Sequence, residues 1–376
     1  VAGRSPLGVD LETAAFTRMA WERPFAVVRA VADTPSRELL SPRTITGGLR
    51  ALRALTAAGP VLDRWAEIAA PRTAVLAGPR SFCAGVERAI ETVERSLERY
   101  HHPVFVRRQI VHNSHVVADL EAKGAVFVHE LDEVPDGATV VLSAHGVAPS
   151  VRADADARSL QVIDATCPLV SKVHSELRRF RSRGYRVALV GHAGHDETEG
   201  TLGEADDVVL LERAADVDGL DVDDERPVAY VTQTTLAAAD VEGVLGALRA
   251  RFPDVVGPHA ADICYATQNR QEAVTTIAGD CDMVLVVGSA NSSNANRLVE
   301  VARRAGVRAE LVDDDTGLEL EWFADALRIG VTAGASAPES LVERVLTGIR
   351  GLGPLTIEHR DVRHETVNFP LPLEVR

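Results

Sequence analysis

The sequence repeats one local pattern three times, and this internal repeat constrains the fold more than any other feature. In each copy a cysteine follows a short extended stretch and precedes a predicted helix; the cysteines are Cys83, Cys167 and Cys264. A second predicted strand ends in a polar loop 28 or 29 residues later, at His112, His195 and Ser292. A third strand ends in another polar loop, 62 to 72 residues after the cysteine. The pattern predicts three related units of roughly 90–100 residues each.

Short β-branched runs alternate with amphipathic helices from Arg72 onward, which predicts βαβ units and a largely parallel sheet. The predicted strands include Ala74–Ala77, Val104–Val106, Val126–Val128, Val140–Leu142, Val187–Val190, Val228–Val231, Met283–Val287 and Arg328–Thr332. Open α/β sheets bind ligands at the carboxyl ends of their strands. Three copies around a pseudo-threefold axis would bring three cysteines and six polar loops to one site.

Composition excludes several functional classes. The net charge of −15 argues against a nucleic acid as the main partner, and an aromatic content of 4% argues against base-stacking surfaces. No apolar run is long enough to predict a transmembrane helix, and the first residues open no signal peptide. Four cysteines without a CxxC pair are too few for a disulfide scaffold. We therefore expect a cytoplasmic protein with free thiols or thiolate ligands.

Three thiols that converge on one point suggest a metal centre. A [4Fe–4S] cluster normally takes four cysteines, so three would leave one iron open to a substrate. A zinc site with three cysteine ligands and a set of merely buried thiols remain alternatives. Cys281 lies outside the repeat; we expect it in the core or at a strand edge, and it is the fallback fourth ligand.

The polar loops carry side chains that bind phosphate oxygens, and several precede predicted helix N-termini, which favour anions. These side chains are His112, His145, His195, Thr234, Ser292, Ser293, Asn294 and Ser336. The sequence has no GxxxxGK[ST] and no GxGxxG motif, so a nucleotide cradle is not indicated. We expect a small phosphorylated ligand.

Glu197 is the candidate proton donor, because it follows a histidine by two residues within a converging loop. A carboxyl group beside a low-dielectric cluster has a raised pKa and can donate a proton. Asp196 and Glu199 are the nearby competitors. The placement of His192 is ambiguous. Six other histidines have no such placement, and we expect them to lie at the surface or to have hydrogen-bond partners: His101, His102, His115, His129, His174 and His259.

Residues 72–376 resemble the LytB family of 4-hydroxy-3-methylbut-2-enyl diphosphate reductases. The matching stretches are FCAGVERAI, IVHN, SAHGV, DATCPLV, GHAGHDETEGT, VTQTT, DICYATQNRQ, NSSNANRL, TAGASAPE and the tail ETVNFPLP. The resemblance implies a trefoil of three pseudo-repeated α/β domains around one central [4Fe–4S] cluster per chain. We expect the domains at residues 71–161, 162–257 and 258–355, with a C-terminal tail at 356–376.

The same resemblance implies the reductive dehydroxylation of 4-hydroxy-3-methylbut-2-enyl diphosphate to isopentenyl and dimethylallyl diphosphate, the last step of the methylerythritol phosphate pathway. It implies that the three repeat cysteines hold the cluster, that the histidines, serines and Asn294 hold the diphosphate, that Thr234 lies beside the substrate hydroxyl, and that Glu197 donates the proton. Ferredoxin or flavodoxin is the implied electron donor. A redox-neutral hydro-lyase and a non-catalytic module are the competing classes. One position departs from the family, where proline usually stands in place of Asp196; the added charge could shift the pKa of the proton relay.

Residues 1–70 differ in character from the rest. Gly8–Ala15 and Pro24–Asp33 resemble the C-terminal part of nucleoside phosphorylases, in which the residues matching Glu12 and Asp33 serve the ribose and the purine base. Most of such a domain is missing, so we expect the tail of a fused phosphorylase-like domain without phosphorylase activity. An unrelated helical extension is the alternative. The predicted elements are a helix at Leu11–Glu22, a strand at Pro24–Val31 and mainly helix at Ser41–Ala70.

Overall fold

The computed structural model describes residues 42–100, 103–220, 226–259 and 261–376. It begins with helix α1 (Pro42–Ile68), which lies within the predicted helical stretch, followed by strand β1 (Arg72–Gly78). The helix and strand predicted earlier in the chain, and the phosphorylase resemblance there, lie outside the described residues and stay predictions. No helix in the described ranges is both long and apolar enough to cross a membrane.

The first repeat forms a parallel sheet, sheet 1, in the order β3-β2-β4-β5. Its elements are α2 (Ala84–Arg99), β2 (Val104–Arg107), α3 (Ser114–Ala122), β3 (Ala125–Val128), β4 (Thr139–Leu142), α4 (Pro149–Ala157) and β5 (Gln161–Asp164).

The second repeat forms sheet 2 in the order β7-β6-β8, again parallel. Its elements are α5 (Pro168–Ser182), β6 (Arg186–Val190), α6 (Asp196–Leu202), β7 (Val209–Leu211), β8 (Val228–Thr232) and α7 (Ala238–Arg251).

The third repeat forms sheet 3 in the order β10-β9-β11-β1-β12, with all neighbours parallel. Its elements are α8 (Tyr265–Ala278), β9 (Met283–Val287), α9 (Ser293–Arg304), β10 (Arg308–Val312), β11 (Arg328–Ala333), α10 (Glu339–Arg350) and the tail strand β12 (Leu355–Asp361). The α/β class and the parallel sheets predicted from the sequence are confirmed.

All three sheets contain the same arrangement of three strands. In sheets 1, 2 and 3 the strands β2, β6 and β9 each lie between the two strands that follow them in the chain. Every residue of β9 is buried, so the strand is continuously apolar, as is typical of parallel sheets covered on both faces.

The segment that precedes each cysteine pairs with the sheet of the neighbouring repeat. β1 pairs with β11 of sheet 3, β5 pairs with β4 of sheet 1, and Val256 forms a bridge with Ala229 in β8. The sheets therefore do not coincide with the residue ranges 71–161, 162–257 and 258–355, because β1 belongs to sheet 3 and β5 spans the first boundary. This exchange links the three units cyclically and points the three cysteines to a common centre.

Candidate active site

Loops at the carboxyl ends of strands from all three sheets line one pocket. Every site residue predicted from the sequence is among its lining residues: Cys83, His112, His145, Cys167, His195, Glu197, Thr234, Cys264, Ser292, Ser293, Asn294 and Ser336. The loops after β2 and β4 supply two histidines. The loops after β6 and β8 supply the third histidine and the threonine, and the first turn of α6 supplies the glutamate. The loops after β9 and β11, together with the first turn of α9, supply the serines and the asparagine.

Each cysteine is the residue immediately before a helix, at the N-termini of α2, α5 and α8. The segment before each cysteine pairs with the sheet of a neighbouring repeat, and the backbone N–H of the cysteine donates to a carbonyl in a polar loop of that same sheet. The three bonds are Cys83 to Ala335 at 3.3 Å, Cys167 to Ala144 at 2.9 Å and Cys264 to Thr234 at 3.0 Å. The same bond is repeated three times, so the thiols are held by equivalent backbone geometry.

Gly85 shows how closely two of the thiols approach each other. A β-carbon at this position would lie 2.7 Å from the sulfur of Cys167 and 3.8 Å from that of Cys83. The residue is buried in the first turn of α2, where the backbone itself would accept alanine. Glycine therefore keeps open the space between the sulfurs, which is where a group bound by both of them would lie.

The thiols are also electrostatically coupled. Burial raises the pKa of Cys167 to about 12, and the neighbouring Cys83 and Cys264 add to the shift. Burial and Cys83 raise the pKa of Cys264 to about 11, although Thr267 donates a hydrogen bond to its sulfur from a backbone N–H at 3.3 Å. Three adjacent thiolates need a cation between them, and a metal centre supplies that charge. The donor set and the cradle at Gly85 fit an iron–sulfur cluster.

Three imidazoles form the adjoining wall of the pocket. The rings of His112 and His145 stack with centroids 3.9 Å apart, and His195 packs edge-on at 5.1 Å from His112 and 5.9 Å from His145. Burial lowers the pKa of all three, that of His195 to about 4 and that of His145 well below its usual value. The histidines are therefore neutral at neutral pH and act as hydrogen-bond donors and acceptors rather than as fixed charges.

The proton position on His195 follows from its hydrogen bond. Its Nδ1 accepts from the backbone N–H of Glu197 at 3.1 Å and caps α6. The neutral ring therefore carries its proton on Nε2, which leaves that nitrogen as a donor to a ligand.

The third wall is rich in hydroxyl and amide groups. Ser336 donates from Oγ to the backbone oxygen of His112 at 2.9 Å, which joins the wall to the histidines. Asn294 accepts the backbone N–H of Ala335 at 2.9 Å, and Ser292 caps the 12-residue helix α9. The N-terminus of α9 lies at the pocket, where helix dipoles and free N–H groups favour anions.

Glu197 is a buried carboxyl group, and its residue is 2% exposed. Its two oxygens accept hydrogen bonds from the backbone N–H of Thr234 at 2.6 Å and from the Thr234 hydroxyl at 3.0 Å. Burial raises its pKa to about 7, against the opposing effect of these hydrogen bonds, and Asp262 adds to the rise. The group can therefore hold a proton near neutral pH, as a proton donor requires.

The two acidic competitors are placed differently. Glu199 is 48% exposed and binds Arg108 at 2.7 Å, away from the pocket. Asp196 binds Arg108 and faces His112 and His145, so its charge acts on the histidines and not directly on Glu197. Cys281 packs against Ile277 in the core of sheet 3 and does not line the pocket, as expected for a core residue.

Some pocket residues were not singled out from the sequence. Besides Gly85, they include Thr235, Tyr265, Thr267 and Phe369. Tyr265 and Thr267 directly follow Cys264 on α8, so the first turn after the cysteine was the available signal. Phe369 comes from the C-terminal tail, which Arg88 holds by donating to the backbone oxygen of Pro370 at 2.8 Å.

Arg270 fixes the loop before Cys83. Its side chain is fully buried, and it donates to the carbonyls of Ser81 and Phe82 and to Glu365 in the tail, the last at 3.0 Å. We expect Arg270→Met to lower the free energy of unfolding by about 3 kcal/mol, because these acceptors lose their donor. Chemical denaturation measures the effect.

The matched control is Arg363→Met, which removes an exposed pair with Glu272 at 2.7 Å. That change should leave the free energy of unfolding close to that of the wild type, because the pair is exposed to solvent. Equal effects of the two substitutions would contradict the role assigned to Arg270.

Comparison with known proteins identifies close relatives. The chain matches the family model of the LytB protein over residues 74–350. It is 54% identical over 323 residues to 4-hydroxy-3-methylbut-2-enyl diphosphate reductase 1 of Mycobacterium tuberculosis, covering 85% of this chain and 98% of that protein. It is 55% identical over 303 residues to the reductase of the same name from Azoarcus sp., covering 80% and 97%.

Two solved structures of reductases have the same fold as this chain. The structure of E-1-hydroxy-2-methyl-but-2-enyl-4-diphosphate reductase from Plasmodium falciparum superposes with a TM-score of 0.77 at 36% identity, covering 81% of this chain and 97% of that one. A second structure superposes with a TM-score of 0.55 at 32% identity, covering 74% of this chain and 99% of that one. It is described as (E)-4-hydroxy-3-methyl-but-2-enyl diphosphate reductase, the terminal enzyme of the non-mevalonate pathway. The resemblance inferred from the sequence motifs is confirmed, and this chain belongs to the LytB family.

Proposed function

We propose that the pocket reduces 4-hydroxy-3-methylbut-2-enyl diphosphate to isopentenyl and dimethylallyl diphosphate. Its relatives are named 4-hydroxy-3-methylbut-2-enyl diphosphate reductase, and the chain is an enzyme of that kind. The main support for this assignment is that three thiols, three neutral imidazoles and one buried carboxyl group line a single pocket. In the net reaction, two electrons and two protons replace the hydroxyl group by hydrogen and release water.

Cys83, Cys167 and Cys264 would hold a [4Fe–4S] cluster, one per chain. Such a cluster, when bound, supplies electrons one at a time and a Lewis-acidic iron without a protein ligand. The space that Gly85 leaves between two sulfurs and the mutual effect of the thiols on their pKa values support this ligand set. A zinc site of three cysteines would carry no electrons and would not serve a reduction.

The diphosphate would lie between the histidine wall and the N-terminus of α9. His195 donates from Nε2, and the backbone N–H groups at the start of α9 add donors suited to an anion. Ser292, Ser293, Asn294 and Ser336 supply the remaining polar groups. Holding the diphosphate at this wall leaves the hydroxyl end of the substrate toward the thiols and Thr234.

Glu197 would deliver the proton that the leaving hydroxyl group needs. Its carboxyl oxygens are fixed by the two hydrogen bonds from Thr234, and its raised pKa keeps it protonated over part of the neutral range. Thr234 therefore positions the acid and lies beside the bond that breaks. Because the carboxyl group is buried, the proton that it holds is shielded from exchange with bulk solvent.

The electrons would come from a small protein carrier, for which ferredoxin or flavodoxin is our proposal, since the sequence carries no nicotinamide-binding motif. We place the reaction in the cytoplasm, where the four free cysteines stay reduced.

Anaerobic turnover of the cluster-loaded chain tests the proposal. The assay supplies 4-hydroxy-3-methylbut-2-enyl diphosphate and a reduced viologen dye, and it follows bleaching of the dye together with the products. Substrate-dependent bleaching with formation of both products is expected. Product formation without dye oxidation would instead indicate a redox-neutral hydro-lyase. No turnover despite full iron and sulfide content would contradict the proposed function.

A further inference from the structure

The third residue after the repeat cysteine is not the same in all three repeats. It is valine in the first two repeats and threonine in the third: Val86, Val170 and Thr267. Each of these residues is buried and lies in the first turn of a helix. Valine and threonine have nearly the same shape, so the repeats differ at this position by one hydroxyl group. The third thiol therefore has a polar neighbour that the other two lack at the equivalent position.

The hydroxyl group of Thr267 lies against the sulfur of Cys264. Its Oγ1 is 3.0 Å from Sγ of Cys264, and the backbone N–H of Thr267 donates to the same sulfur at 3.3 Å. Thr267 is 1% exposed, so bulk water has little access to its hydroxyl group. Valine has no hydroxyl group, so Val86 and Val170 cannot supply the same contact to their cysteines.

Asn294 determines the direction of this hydrogen bond. Its Oδ1 accepts the backbone N–H of Ala335 at 2.9 Å, so its NH₂ group faces Thr267, and Nδ2 lies 3.4 Å from Oγ1. An amide NH₂ group only donates, so the threonine oxygen is the acceptor in that contact. The single hydroxyl proton is left for the sulfur of Cys264, which as a metal-bound thiolate has no proton and can only accept.

A hydrogen bond to a ligating thiolate stabilises the electron-rich state of a cluster. One-electron reduction adds negative charge to the cluster and its ligands, and a donor beside a sulfur stabilises that charge. Hydrogen bonds to the sulfurs are among the features that set the reduction potential of iron–sulfur centres. Removing such a donor therefore lowers the potential.

We propose that the Thr267 hydroxyl group, oriented by Asn294, donates to the Cys264 thiolate and raises the reduction potential of the cluster. Thr267 is then a positioning residue that acts on the cluster through its cysteine ligand. Asn294 belongs to the wall proposed for the diphosphate, so one chain of hydrogen bonds joins that wall to the third thiol. The inference rests on the proposed function for the identity of the cluster, but its test needs no turnover.

Redox titration of the cluster-loaded chain, followed by the electron paramagnetic resonance signal of the reduced cluster, tests the inference. Thr267→Val should lower the midpoint potential by about 30–60 mV, which is about a three- to tenfold change in the equilibrium constant of a one-electron reduction. Thr267→Ser keeps a hydroxyl group at this position and should retain most of the wild-type potential. Iron and sulfide are counted in every variant, and potentials are compared at equal cluster content.

Thr275→Val is the matched control. Thr275 is on the same helix, α8, and its hydroxyl group donates to the backbone oxygen of Gln271 at 2.9 Å. It is not among the residues that line the pocket. The substitution removes the same group from the same helix without touching a cysteine, so the potential should stay at the wild-type value.

Asn294→Ala tests the orienting role of the amide. Without its NH₂ group the Thr267 hydroxyl is free to rotate, so the potential should fall, by no more than it falls in Thr267→Val. In the Thr267→Val background the same substitution should change the potential no further, because the effect passes through the hydroxyl group. Additive shifts in the double variant would overturn the role of Asn294.

An unchanged potential in Thr267→Val at full cluster content would overturn the inference, and so would an equal shift in Thr275→Val. If Thr267→Val lowers cluster content, Thr267→Ala removes the same hydroxyl group with a smaller side chain and carries the same expectation. A wild type that takes up no iron and sulfide would overturn the ligand set and the proposed function together with this inference. The two failures are therefore distinguishable.

Discussion

Replacing Glu197 with glutamine is expected to lower kcat by roughly 10²–10⁴-fold, the usual contribution of a positioned general acid. Glutamine has nearly the same shape as glutamate; its single oxygen can still accept the backbone N–H of Thr234, and its NH₂ group can donate to the Thr234 hydroxyl. It has no acidic proton, so it cannot assist departure of the hydroxyl group. Viologen bleaching under anaerobic conditions, normalised to iron and sulfide content, measures the loss.

The pH profile gives the same prediction a second readout. The pKa of Glu197 is raised to about 7 by burial, so the proton donor is present below that pH and is lost as the pH rises through it. For the wild type, kcat/KM should therefore fall on the alkaline side of about pH 7. The residual activity of Glu197→Gln should lack this limb.

Glu199→Gln is the control for both readouts. Glu199 is on the same helix, α6, but it is half exposed and bound to Arg108. Its substitution should leave kcat and the alkaline limb close to those of the wild type. A large loss of kcat in Glu199→Gln together with full activity in Glu197→Gln would show that Glu199, and not Glu197, donates the proton.

The convergence of these residues on one pocket could be predicted because several of them recur at nearly fixed distances from a repeated cysteine. The spacing of 28 or 29 residues corresponds to one helix and one strand, which return the chain to the same edge of its sheet. The ends of parallel strands meet at one edge, so residues far apart in sequence share a pocket. The repeat could thus predict convergence, although it could not distinguish an iron–sulfur cluster from zinc.

The strand exchange between repeats could not be predicted from these patterns. Whether β1 pairs within its own repeat or with β11 depends on long-range backbone pairing, which leaves no local signature. Strands β7, β10 and β12 were not named from the sequence either: β7 has only three residues, and β10 and β12 carry charged residues that hide their extended character. The position of Asp196 against the histidines depends likewise on loops from two different sheets.

Gly85→Ala is expected to impair assembly of the cluster. The new methyl group would lie 2.7 Å from the sulfur of Cys167, so either α2 or the cysteine must move. Overpacking of this kind costs about 1–3 kcal/mol, or roughly 5- to 150-fold in an equilibrium constant. The iron and sulfide retained per chain after reconstitution should fall accordingly, and turnover should fall in proportion to them.

Gly243→Ala separates this effect from the general consequence of placing alanine in a helix. Gly243 lies in α7, and a β-carbon there would meet nothing within 4 Å. Alanine should stabilise that helix by up to about 1 kcal/mol and leave cluster content unchanged. Since both substitutions favour the helical backbone, a loss of cluster confined to Gly85→Ala must come from the contact with the thiols. Full cluster content in Gly85→Ala would mean that the sulfurs do not share a ligand at this point.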